Sequence, residues 1–131
     1  GVTEFIEKTV AEAAEKGYVK TMLGRCRPVP QLHAAQKNTV NLGRRIAVNT
    51  VVQGSAADLI KAAMNRIYPV MREHYRDCLM ILQIHDELVF EVPEKRTAEF
   101  SGVVRTEMEG AMALNVPVKV NIQTGQNWME A

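Results

Sequence analysis

The sequence predicts an α+β fold in which antiparallel hairpins are packed on one side by helices. Three observations carry this. Two short stretches, Tyr18–Pro30 and Leu79–Pro93, read as strand, polar turn and returning strand. Three other stretches carry apolar residues at helical spacing: 3–16, 41–68 and 94–114. Helices and hairpins follow one another without the regular strand–helix alternation of a parallel sheet.

The elements run in order as follows. Phe5, Ile6, Val10, Ala13 and Ala14 fall on one face of a first helix, with Gly17 as its stop. Tyr18 to Met22 enters the first hairpin, Leu23-Gly24 turns it, and Arg25-Cys26-Arg27 returns; Pro28 and Pro30 end it and suggest an edge. Residues 31–40 are polar without a period and read as loop. A long helix follows from about Asn41 to Tyr68, stopped by Pro69, with a bend or a break at Gly54-Ser55. Charged residues 70–77 lead into the second hairpin. A third helix occupies 94–114, and Val116, Val118, Val120 and Ile122 alternate as a last strand, held to an edge at Pro117.

The chain has 131 residues, 47% of them hydrophobic, which suits one domain or a large piece of one. It opens on Gly1 rather than Met, which reads as part of a longer protein. No stretch approaches the ~18 apolar residues of a membrane span, and no signal peptide is evident. Cys26 and Cys78 lie far apart without metal-ligand spacing, which suits a reducing intracellular setting. The net charge of +1 conceals a segregation. Between Lys16 and Ala57 there is no acid, but seven basic residues: Lys16, Lys20, Arg25, Arg27, Lys37, Arg44 and Arg45. Nine basic and fifteen acidic residues remain elsewhere, a balance of −6. A solvated basic loop and a polyanion-binding segment both fit this pattern.

Two constellations carry candidate chemistry. Asp86 and Glu87 stand at the tip of the second hairpin, whose arms are apolar on both faces and so are expected to be covered. Adjacent acids beside a covered core repel each other and lose solvation, and a hard divalent cation relieves both costs. A plain solvated turn needs no function, because Asp tolerates turn geometry. Arg45, Asn49 and Gln53 recur at steps of four and stack along one helix face. Such a row suits the acceptor-lined floor of a minor groove, or it is an ordinary solvent face. Asp58, Asp77 and Glu91 are poorly placed to add metal ligands, and His33 and His74 read as surface residues.

Four stretches stand out together: Gly17-Tyr18-Val19 with Thr21 and Gly24-Arg25; Arg45 through Asn49 to Gln53-Gly54-Ser55-Ala56-Ala57-Asp58; Gln83 to Glu91; and Gly125-Gln126-Asn127-Trp128. Together they resemble the C-terminal part of family A DNA polymerases, the DNA polymerase I type. The resemblance covers nearly the whole chain, in order. It implies that residues 1–40 end the fingers and that residues 41–131 form part of the palm of a right-hand polymerase. It implies the family's motif C at Ile84–Glu91, with Asp86 and Glu87 as catalytic and metal-binding carboxylates for Mg²⁺, two ions in the complete enzyme. His85 would lie near the primer end, and Arg45, Asn49 and Gln53 would touch primer–template DNA. Lys20, Arg25, Arg27, Lys37 and Arg44 would be candidates for DNA backbone contacts. Deoxynucleoside triphosphates and the N-terminal remainder of the polymerase complete the expected partners, with no membrane; a bacterial source would place it in the cytoplasm with the nucleoid. Cys26 stands where an arginine is common, and Arg44 where an acid often precedes the family's arginine. The other metal-binding aspartate and the triphosphate-gripping helix lie upstream in the family, so the 131 residues alone are expected to be inactive and to self-associate. Two rival readings remain: a metal-dependent nuclease on the same turn, and a non-catalytic DNA-binding module.

Overall fold

A computed structural model describes residues 1–130. Its elements are α1 (Val2–Lys16), β1 (Tyr18–Lys20), β2 (Cys26–Pro28), a 3₁₀ turn (Pro30–His33), α2 (Lys37–His74), β3 (Leu79–Ile84), β4 (Glu87–Glu91), a 3₁₀ turn (Glu94–Arg96) and α3 (Thr97–Glu109). Both sheets are two-stranded antiparallel hairpins, β1–β2 and β3–β4. The fold is α+β, as the hairpins and helices of the sequence indicate. Two compact units divide it, Gly1–Asp58 and Leu59–Ala131, with α2 contributing to each. No helix among the described residues is long and apolar enough to cross a membrane.

In the first unit, α1 ends where Gly17 takes a left-handed conformation at φ 77, closed by its amide on the Ala13 carbonyl. The chain enters β1 at once, and Tyr18 pairs with Pro28, Val19 with Arg27 and Lys20 with Cys26. The core is Ala13, Val19, Val29 and Ala47, all buried, with Leu32, Ile46 and Val51 packed on it. Two glycines of α2 leave room for the hairpin and for the 3₁₀ turn. A Cβ on Gly54 would stand 2.7 Å from Thr21 Cγ2, and one on Gly43 only 2.9 Å from the Leu32 nitrogen.

In the second unit, Ile67, Met71, Tyr75, Cys78, Phe100 and Val104 form the core, joined by Met80, Leu88, Phe90 and Val92. Phe100 stacks obliquely on Tyr75 at 5.2 Å and edge-on to Phe90 at 5.4 Å. The Tyr75 hydroxyl donates to Glu99 Oε1 at 2.8 Å, and this bond to a carboxylate, with burial, raises the tyrosine's pKa. Cys78 is buried and Cys26 exposed; both are free thiols.

Four expectations are corrected. The long helix starts at Lys37, inside the stretch read as loop, and a 3₁₀ turn occupies Pro30–His33. It continues unbroken through Gly54-Ser55 and past Pro69 to His74. Proline inside a helix costs about 3 kcal/mol. Met71 and Tyr75, both 6% exposed, lie beyond it, and burying such side chains contributes about 1.5–3 kcal/mol each, enough to offset the loss. The third helix is shorter than its apolar period, spanning only Thr97–Glu109. Finally, 116–122 forms no strand. The expected alternation survives in burial only from Val118, with Val118, Val120 and Ile122 half-buried and their neighbours exposed, while Val116 is 67% exposed. No sheet among the described residues pairs with it, and the Val120 amide instead donates to Glu109 Oε1 at 3.1 Å.

Candidate active site and nucleic-acid groove

The second hairpin places its acids through a tight register. Ile84 pairs with Glu87, so the loop is two residues long, His85-Asp86, and Glu87 opens β4 rather than sharing the tip. His85 has φ 52 and is the only non-glycine among the described residues with positive φ. Positive φ at the first loop residue alone is the signature of a type II′ turn, whose first position ordinarily asks for glycine. A bulky residue there stores about 1–3 kcal/mol of backbone strain. The Gln83 side chain leans over the turn and donates Nε2 to the His85 carbonyl at 2.7 Å.

The arms are covered on one face only, not on both as expected. Met80, Leu88 and Phe90 pack on the core of the second unit. Leu79, Ile81 and Leu82 are 53%, 54% and 42% exposed. Ile81 has no partner, because the register shifts between Met80 and Leu82, and this bulge re-aims the strand. Alternation from Glu87 puts Glu87, Val89 and Glu91 on the open face.

Asp86 and Glu87 are therefore exposed, and the desolvation expected of them is absent. Their oxygens are free for another reason: among the described residues, neither makes an ion pair or a side-chain hydrogen bond. Two adjacent, unclaimed carboxylates are hard oxygen donors of the kind Mg²⁺ takes. No group of three or more His, Cys, Asp or Glu able to hold a metal occurs among the described residues.

The first unit carries the other constellation. Arg45, Asn49 and Gln53 are exposed on α2 and line one open groove of about 320 Å³. Arg27 lines the same groove with Leu42 and Ile46. The sequence had placed Arg27 only among scattered cations, yet strand alternation could have aimed it. Arg27 sits opposite Val19, whose side chain packs with Ala47 of α2, and so it faces the helix. Its Nη1 donates to the Thr50 hydroxyl at 3.2 Å, which fixes the guanidinium beside the polar row. A larger groove of about 400 Å³ runs along α1 and β1; of the candidates it holds only Lys20.

The remaining cations differ in their freedom. Arg25 is engaged internally: Nη2 donates to Asp58 Oδ1 at 2.6 Å and to the Gly54 carbonyl at 3.0 Å. Asp58 is 93% buried at its side chain. Its Oδ2 has no hydrogen-bond partner among the described residues. Thr21, then the Arg25 charge, holds this carboxyl below the usual range against the opposing pull of burial. Lys20 lies over the Tyr18 ring at 5.5 Å. Among the described residues, no ion pair engages Lys20, Arg27, Lys37, Arg44 or Arg45. The acid-free segment thus leaves five cations un-neutralised among the described residues.

The chain belongs to DNA polymerase family A, whose family model matches residues 1–130. It is 42% identical over 130 residues to the thermostable DNA polymerase I of Thermus thermophilus, covering 99% of this chain and 15% of that protein. It is 40% identical over 131 residues to DNA polymerase I of Bacillus subtilis, again 15% of that protein. The chain therefore spans about a seventh of the length of these relatives. Among solved structures it superposes with a TM-score of 0.96 and 36% identity on the POL domain of Pol1 from M. smegmatis, in complex with DNA primer-template and dNTP. The match covers 99% of this chain and 23% of that one.

Proposed function

We propose that this chain is the C-terminal portion of a DNA-directed DNA polymerase that adds deoxynucleotides to a primer 3′-hydroxyl on a template. One observation carries the reading: a family A chain presents two unclaimed, adjacent carboxylates at a tight hairpin turn. Asp86 is the principal metal-binding carboxylate, and Glu87 supports it. Mg²⁺ bound there, two ions in the complete enzyme, would lower the pKa of the primer hydroxyl and steady the leaving pyrophosphate. His85 lies toward the primer end. Asn49 and Gln53 donate to acceptors on the minor-groove floor, while Arg45 and Arg27 meet backbone charge. Residues 1–40 belong to the fingers and 41–131 to the palm.

No third metal-ligating group joins Asp86 and Glu87 among the described residues, so the 131 residues alone are proposed to be catalytically silent and the upstream part of the protein to supply further ligands and the triphosphate contacts. That favours a complete polymerase over a self-contained nuclease built on the same turn. The test is incorporation of a labelled deoxynucleotide by the full-length protein with Mg²⁺. Template-directed incorporation is expected. Cleavage of DNA by the 131-residue chain, or no incorporation by the full-length protein with Mg²⁺ or Mn²⁺, would overturn the reading.

A further inference from the structure

The Gln83 amide reaches two residues along the chain to the His85 carbonyl, and the contact lies at the one strained backbone position of the hairpin. That carbonyl is part of the planar peptide that ends at the Asp86 Cα. Holding its oxygen fixes the plane, and the plane sets the direction in which the Asp86 side chain leaves the turn. Glycine would take the positive φ of His85 freely, whereas histidine does so only if its surroundings hold it there. Gln83 is exposed, sits opposite Leu88 in the register, and touches neither carboxylate.

We propose that Gln83 is a positioning residue for Asp86, acting through the His85 backbone to hold the strained turn that aims the carboxylate. This rests on the reading of Asp86 as a metal-binding group. Gln83→Met keeps the length of the side chain and removes the donor. The matched pair His85→Ala and His85→Gly separates the backbone from the imidazole: both lack the ring, and only glycine relaxes the turn.

The experiment uses the full-length protein bound to primer–template and carries Gln83→Met into the parent, His85→Ala and His85→Gly backgrounds. Mn²⁺ affinity is read from free-Mn²⁺ electron paramagnetic resonance, alongside kcat with Mg²⁺ and Kd for primer–template. In the parent and His85→Ala backgrounds, Gln83→Met is expected to weaken Mn²⁺ binding and lower kcat by roughly tenfold each, as a small misplacement of a catalytic group does. Primer–template Kd should stay within about twofold, and in the His85→Gly background the Gln83→Met effect should vanish, because glycine suits the turn without a tether. An equal loss in the alanine and glycine backgrounds, a loss that falls on DNA affinity, or no loss at all would overturn the proposal. Asp86→Asn, measured alongside, keeps the two claims apart. If it retains Mn²⁺ affinity and rate, the metal reading fails; if it loses both while Gln83→Met changes nothing, that reading stands and the positioning role falls.

Discussion

Gly43 and Gly54 lie eleven residues apart on α2, about three turns, and so face nearly the same way. Gly43 meets backbone, the Leu32 nitrogen and the Gln31 carbonyl carbon at 2.9 and 3.0 Å from a would-be Cβ, and backbone has little room to yield. Alanine in a helix gains up to about 1 kcal/mol over glycine, while overpacking costs about 1–3 kcal/mol, so the clash wins at Gly43. Gly102 on α3 faces open space. Denaturant unfolding should show Gly43→Ala destabilised by about 1–2 kcal/mol and Gly102→Ala stabilised by about 0.5–1 kcal/mol. Shifts in the same direction would refute this packing account. Asp58 gives a pH signature. Its carboxyl titrates below the usual range, so its stabilisation is present above the unfolded value and is lost as pH falls through the lower folded one. Asp58→Asn should therefore flatten the acid limb of the Tm–pH curve below about pH 4; an unchanged limb would assign acid lability elsewhere. Neither effect was legible beforehand. Asp58 read only as an acid poorly placed to bind metal, because its partner Arg25 is 33 residues away.

At the scale of elements, the sequence showed what depends on local period. Both hairpins, the first helix and the centre of α2 were legible from spacing alone. What escaped was decided by tertiary burial: the run of α2 through Pro69, the early end of α3, and the missing strand at 116–122, whose alternation marks a face without a pairing partner among the described residues. The candidate site was half legible. Asp86, Glu87 and the Arg45–Asn49–Gln53 row were visible as motif and period, but the turn strain at His85 and the convergence of Arg27 on the row depend on register. The groove makes a prediction as one element. In the full-length protein, Arg45→Ala and Arg27→Ala should each reduce the salt slope of primer–template binding by about one counterion. Asn49→Ala and Gln53→Ala should weaken binding or raise mismatch extension with the slope unchanged. Unchanged affinity and unchanged mismatch extension in all four would return the groove to an ordinary helix surface.

At the scale of the whole molecule, the second hairpin leaves one face open. The exposed Leu79, Ile81 and Leu82 flank an unpaired strand edge, which invites strand pairing between copies. The isolated 131 residues are expected to exceed a monomer in light scattering across the micromolar range, and a clean monomer would contradict this. The central claim is that Asp86 carries the metal in a polymerase, and the most direct measurement is single-turnover incorporation by full-length Asp86→Asn. The substitution keeps size and removes charge. The account predicts a fall of at least ~10³-fold in the rate constant, with primer–template affinity nearly intact and Glu87→Gln less affected. A fall of under tenfold would contradict it and remove Asp86 from the metal site.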